Sequence, residues 1–155
     1  MNEHHYSLTI KWTGNRGKGT TGYRDYDRSH TISITGKPDL LGSSDTAFQG
    51  DAAKHNPEDL LVASISTCHM LWFLHLCADA GIVVTGYTDN ATGTLHIPPT
   101  GGGRFTEVTL HPAVTITDRS RTEEANELHQ KAHEKCFITN SVNFPVRCEG
   151  VCKAG

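Results

Sequence analysis

The segment NPEDLLVASISTCHMLWFLHLCADAG, residues 56–81, decides how this chain folds. Asn56 and Pro57 have the chemistry of a helix N-cap and first helical residue, because Asn accepts from a free backbone N–H and Pro lacks the N–H that would go unpaired. Gly81 is placed to end the same helix, since glycine readily takes the left-handed conformation at the position after the cap. The helix between them is apolar on nearly every side. Leu60 to Ala78 is long enough to span a bilayer, yet Ser64, Ser66, Thr67, His69 and His75 lie within it and Asp79 follows. Those groups are costly in lipid, so the segment is expected to be a buried helix of a soluble protein. A helix enclosed all round is hard to cover in a chain of 155 residues, which points to a second subunit. Near its middle sits Cys68, which on this segment alone is open to three uses: core filler, metal ligand or reactive thiol.

Before this helix, Tyr6, Leu8, Ile10 and Trp12 alternate with polar residues and predict a strand. TGNRGKGTTG, residues 13–22, must then turn. Ile32 and Ile34 mark a short second strand. Residues 36–55 are rich in Gly, Ser, Asp and Pro and predict a long loop of the kind that often carries function, with room for a short strand near Phe48.

After the helix, IVVTGYT and ATGTLHI predict strands, and PPTGGG a hairpin loop. Val108, Leu110, Pro112, Val114 and Ile116 alternate as one strand, with Pro112 marking an edge or bulge. SRTE, Ser120 to Glu123, has the form of a capping box opening a second helix, whose apolar stripe is Ala125, Leu128, Ala132 and Cys136. Val142, Phe144, Val146 and Cys148 predict a closing strand. The order of strands, helix, strands, helix, strand is an α+β pattern, read as a single domain over 1–155.

The net charge of −3 with ten His counted neutral, and the absence of a Lys/Arg run, argue against nucleic acid or an anionic membrane as partner. The N-terminal residues lack a basic stretch followed by an apolar one, so the expected compartment is the cytoplasm. Five cysteines fit free thiols, redox chemistry or metal better than a secreted disulfide framework. Cys77, on the opposite side of the first helix from Cys68, reads as core. Cys148 reads as a strand residue and Cys152 as part of a frayed end. His129, His133 and Cys136 fall on one face of the second helix at a spacing open to metal binding, though an ordinary half-buried face is the simpler reading. Arg16 and Arg28 are the candidate cations. Glu58 suits the first turn of a helix through the macrodipole alone.

Taken together, three segments resemble a known family. NPEDLLVASISTC resembles the NPE, apolar helix, Cys signature of the OsmC/Ohr family, the osmotically inducible and organic-hydroperoxide-resistance proteins. KWTGNRGKGT is similar to that family's first strand and arginine loop, and KAHEKC to the helix carrying its second cysteine. The resemblance implies an intertwined α+β homodimer, with an antiparallel sheet wrapped on a long central helix plus a second helix, and active sites at the subunit interface. It implies a cysteine-based peroxidase without cofactor. Cys68 would attack an organic hydroperoxide, Cys136 would resolve the product as a disulfide, Arg16 and Glu58 would support the thiolate, and an external dithiol would close the cycle. Phe137 stands where the peroxidase branches commonly carry Pro, and YRDYDRSH has no counterpart in them. From another class, the chain could be a metal-binding or redox-sensing protein without turnover, built on His129, His133 and Cys136.

Overall fold

The computed structural model describes residues 2–155, which divide into two compact units, the first ending at Leu61 and the second running over Val62–Gly155. In the first, strands β1 (Thr9–Trp12), β2 (His30–Ser33) and β3 (Leu40–Gly42) form an antiparallel sheet in the order β1-β2-β3. The expected first strand begins only at Thr9, and β2 stops one residue short of Ile34. The short strand expected near Phe48 is instead a 3-10 turn over Thr46–Phe48, because the Asp45 side chain accepts from the Ala47 N–H and holds the backbone curled. Tyr6, Leu8, Ile10, Trp12, Leu40 and Leu41 all remain exposed.

Helix α1 (Pro57–Asp79) begins and ends where local chemistry dictates. Asn56 Oδ1 accepts from the Asp59 N–H at 2.7 Å, satisfying one of the orphan donors of the first turn. At the other end Gly81 adopts φ +69°, and its N–H and that of Ile82 reach back to Ala78 and Cys77 carbonyls. This pair of bonds is a Schellman stop. α1 is the one described helix long and apolar enough to cross a membrane. Ile65, His69, Phe73 and Cys77, spaced four apart, form its buried face.

The second unit holds two three-stranded sheets. Strands β4 (Val84–Asp89) and β7 (Pro112–Ile116) pair antiparallel, as do β5 (Thr92–His96) and β6 (Arg104–Leu110) across the expected hairpin. β8 (Val146–Cys148) then adds to β6, and β9 (Val151–Ala154) to β7, both in parallel. The antiparallel pairing implied by the resemblance is thus joined by two parallel edges.

The single strand expected over 108–116 is two strands in different sheets. It breaks at His111, whose N–H is taken by Asp89 Oδ1 at 2.7 Å, and Pro112 opens the next strand, where no ladder donor is needed. Residues 139–141 form a 3-10 turn, so the closing strand starts only at Val146. Cys152, expected in a frayed end, is buried in β9 opposite Val114.

Helix α2 (Thr122–Lys135) is not opened by a Ser120 capping box. A 3-10 turn over Arg119–Arg121 precedes it, capped by Asp118, whose side chain accepts from Ser120 N–H and Oγ–H. The expected stripe of Ala125, Leu128, Ala132 and Cys136 is buried. With Phe73, Cys77, Ile82, Val114, Ile116 and Cys152, its first three members form the core between α1, α2 and the β4-β7-β9 sheet.

Candidate active site

Cys68 faces away from the Cys77 side of α1 and is half-buried. Cys136 is fully buried at the end of α2. There the backbone leaves the helix in an extended conformation, at φ −68° and ψ 110°. The departure is well supported: Asn140 Nδ2–H donates to the Glu134 carbonyl at 3.0 Å, Asn140 N–H to the Cys136 carbonyl at 3.0 Å, and Thr139 N–H to Cys136 Sγ at 3.4 Å. This turn brings the Cys136 side chain, and the backbone N–H groups of Ile138 and Phe137, close enough to act on the Cys68 thiol.

Burial pushes the Cys68 thiol above its ordinary value. The Ile138 N–H opposes this, the Cys136 sulfur adds to it, and the Phe137 N–H opposes it. The balance is a raised pKa, and none of these groups is a cation. A thiolate here needs positive charge beyond that of two amide dipoles.

Next to the thiols is an aromatic cluster. The rings of Trp72 and Phe137 meet edge to face with centroids 5.5 Å apart, and Lys135 Nζ lies 5.5 Å from the Trp72 ring. Leu71, Trp72 and His75 line an apolar recess of about 250 Å³.

The other expected site residues belong to the first unit. Arg16 is exposed, with its Nε 3.5 Å from Asp27 Oδ1 and its terminal nitrogen donating to the Arg24 carbonyl. Arg28 is held between two rings, with Cζ 4.4 Å from the Tyr23 centroid and 4.2 Å from the Tyr26 centroid, and it donates to both residues' carbonyls. Glu58 Oε2 is buried and, among the described residues, has no hydrogen-bond partner.

His129, His133 and Cys136 do not converge. Cys136 turns to Cys68, while His129 turns inward to His69, with Nδ1 3.1 Å from His69 Nε2. Among the described residues, the group whose ligand atoms do converge is His69, His129 and Cys148. His69 was legible only as a polar residue in an apolar helix. The Phe137 and Ile138 N–H groups have no side-chain signature at all.

A pair of thiols between the middle of a long apolar helix and the end of a second helix, in a mixed α+β unit, defines a class of candidate thiol-redox protein. The OsmC-like protein family model matches residues 50–149, and the chain belongs to that family. An OsmC-like protein of unknown function from Vibrio cholerae is 32% identical, with a TM-score of 0.86 over 96% of this chain and 100% of that one. An organic hydroperoxide resistance protein from Legionella pneumophila is 22% identical, with a TM-score of 0.68 over 97% of this chain and 99% of the other. The uncharacterized protein YmaD of Bacillus subtilis is 21% identical, covering 100% of this chain and 99% of its own.

Proposed function

We propose that the protein is a thiol peroxidase that reduces organic hydroperoxides to alcohols. The observation that carries this is the contact of the Cys68 and Cys136 side chains, with two backbone N–H groups aimed at Cys68. The Cys68 thiolate attacks the distal peroxide oxygen. The O–O bond breaks, the alkoxide takes a proton and leaves as the alcohol, and Cys68 becomes a sulfenic acid. The Cys136 sulfur then displaces water from that acid, leaving a Cys68–Cys136 disulfide. An external dithiol reduces it by exchange and is itself oxidised to a disulfide.

The thiols in contact favour resolution by Cys136 over further oxidation. The aromatic rim of Trp72 and Phe137 favours an organic peroxide over hydrogen peroxide, since it offers apolar surface to the substrate's hydrocarbon part.

The cation that Cys68 requires is assigned to Arg16, whose guanidinium stays charged at any working pH and can hold peroxide oxygens as a fork. In the working site its carboxylate partner would be Glu58, in place of the Asp27 carboxylate that faces it here. A buried carboxylate oxygen without a donor is costly, and a guanidinium would satisfy it.

The working form is assigned as a homodimer. α1 is apolar all round, yet only the Ile65–Cys77 face is buried and Leu71 is 62% exposed. The first unit's sheet likewise leaves its apolar residues uncovered. A second copy would cover both, and the two units would act as one OsmC-like domain, consistent with a family match that crosses their boundary. The cytoplasm, with its dithiol pools, is the assigned compartment.

Single-turnover consumption of cumene hydroperoxide by the reduced protein tests the activity. Wild type should consume about one equivalent per chain, and Cys68→Ser none beyond the buffer. Equal rates for the two would contradict the assignment.

A further inference from the structure

A second cluster lies in the second unit, away from the Cys68 sulfur and unused by the peroxidase chemistry. His69 and His129 are buried side by side, their rings 6° from parallel. His69 Nε2 is 3.1 Å from His129 Nδ1 and 3.5 Å from Cys148 Sγ, and all three atoms lie within 4.8 Å of one another. We propose that His69, His129 and Cys148 form a binding site for a zinc-class divalent ion, with a fourth position open to a cavity.

Two of the three donor separations match what such an ion requires. Zn–N bonds of about 2.0–2.1 Å and a Zn–S bond of about 2.3 Å at tetrahedral angles set N···N near roughly 3.3 Å and N···S near roughly 3.5 Å. The observed separations of 3.1 Å and 3.5 Å are within a few tenths of an ångström of these. The donor set of two imidazoles and one thiolate is of borderline softness, suited to zinc and cobalt and poorly suited to calcium or magnesium.

The His129 ring is held in place before any ion arrives, and an ion would replace the hydrogen bond that its Nδ1 shares with His69 Nε2. His129 is stacked on Phe73 with centroids 4.0 Å apart, and its Nε2 lies 3.6 Å from Cys152 Sγ, so Nδ1 is the nitrogen turned to the cluster. The backbone of Gly150 passes so close that a Cβ there would stand 2.6 Å from the ring. Cys152 is itself pinned to α2 through its N–H, 2.9 Å from Asn126 Oδ1. A cavity of about 340 Å³ adjoins the cluster, lined by His129, His133, Cys148, Asn126 and Gly150 among others. It gives an ion a way in and a water room to complete four-coordination.

Titrating the metal-free, reduced full-length protein with cobalt chloride tests this. A thiolate-to-cobalt charge-transfer band should rise, saturate at one ion per chain, and vanish on adding zinc chloride. The band should be lost in Cys148→Ser and kept in Cys68→Ser and Cys136→Ser, which separates this site from the peroxidase pair. Should Cys148→Ser fail to fold, the wild type still decides. Zinc should slow alkylation of Cys148, mapped by peptide, and leave Cys68 alkylation unchanged. No saturable band in the wild type would overturn the proposal. So would a band that survives Cys148→Ser but is lost in Cys136→Ser, or Cys148 alkylation indifferent to zinc.

Discussion

The thiol of Cys68, in the middle of α1, lies beside the thiol of Cys136, at the end of α2, and the neighbouring sulfur resists its ionisation. Two residues far apart in sequence thus share one small site, where burial and a neighbouring sulfur oppose ionisation and two N–H groups favour it.

The first consequence concerns acidity. The groups around Cys68 in the second unit leave its pKa raised, so a reactive thiolate needs a cation, the role proposed for Arg16. In the wild-type protein, alkylation rate against pH should give a Cys68 midpoint below about 8.5, the free-thiol value. Arg16→Ala should move the midpoint above that value and slow peroxide reduction on the order of 10²-fold, as loss of one charge-stabilising donor does. Arg16→Lys should restore only part, since an ammonium is not a planar fork. Arg28→Ala should cost loop stability, because Arg28 is bound between Tyr23 and Tyr26, and leave the midpoint in place. The reverse pattern would assign the cation to Arg28.

A second prediction follows from the length of α1. Glu58 and Cys68 are ten residues apart on one helix, so about 15 Å separates them along its axis. One straight helix cannot bring both to a single Arg. Two antiparallel α1 helices about a two-fold axis can, each Glu58 then lying beside the other subunit's Cys68. Glu58→Ala and Cys68→Ser homodimers should both be inactive, and mixing them under exchange should restore one working site per heterodimer. Heterodimers that form and stay inactive would contradict a composite site.

Alkaline stability should report the core position of Cys77. Burial pushes its thiol from 9.0 up to about 11. The folded-state pKa is raised, so the stabilisation is complete below the unfolded value and is lost as pH rises toward the folded one. Between pH 9.0 and about 11, Cys77→Ala should lose less stability than wild type, by on the order of 1–2 kcal/mol. Parallel urea-unfolding curves across that range would contradict a neutral buried thiol.

What was legible in the sequence followed how locally each feature is determined. The ends of α1 are set by Asn56 and Gly81 acting on backbone groups a few residues away, so residues 56–81 announced them. The α+β order and the buried stripe of α2 follow from periodicity in the same way. The break between β6 and β7 does not, because Val108–Ile116 keeps alternating straight through it, and the group that stabilises it is the side chain of Asp89. The burial of Cys152 is hidden for a like reason: parallel pairing with β7 leaves no trace in the tail. The partnership of Cys68 with Cys136 came from family resemblance and not from spacing. The convergence of His69, His129 and Cys148 joins α1, α2 and β8, and only the fold could bring them together.

The most direct test is to treat the reduced protein with one equivalent of cumene hydroperoxide, quench the remaining thiols and map the peptides. A Cys68–Cys136 disulfide should accumulate, and Cys136→Ser should instead trap a sulfenic acid on Cys68. A Cys148–Cys152 disulfide with Cys68 still free would contradict the assignment and move the redox centre to the C-terminal strands.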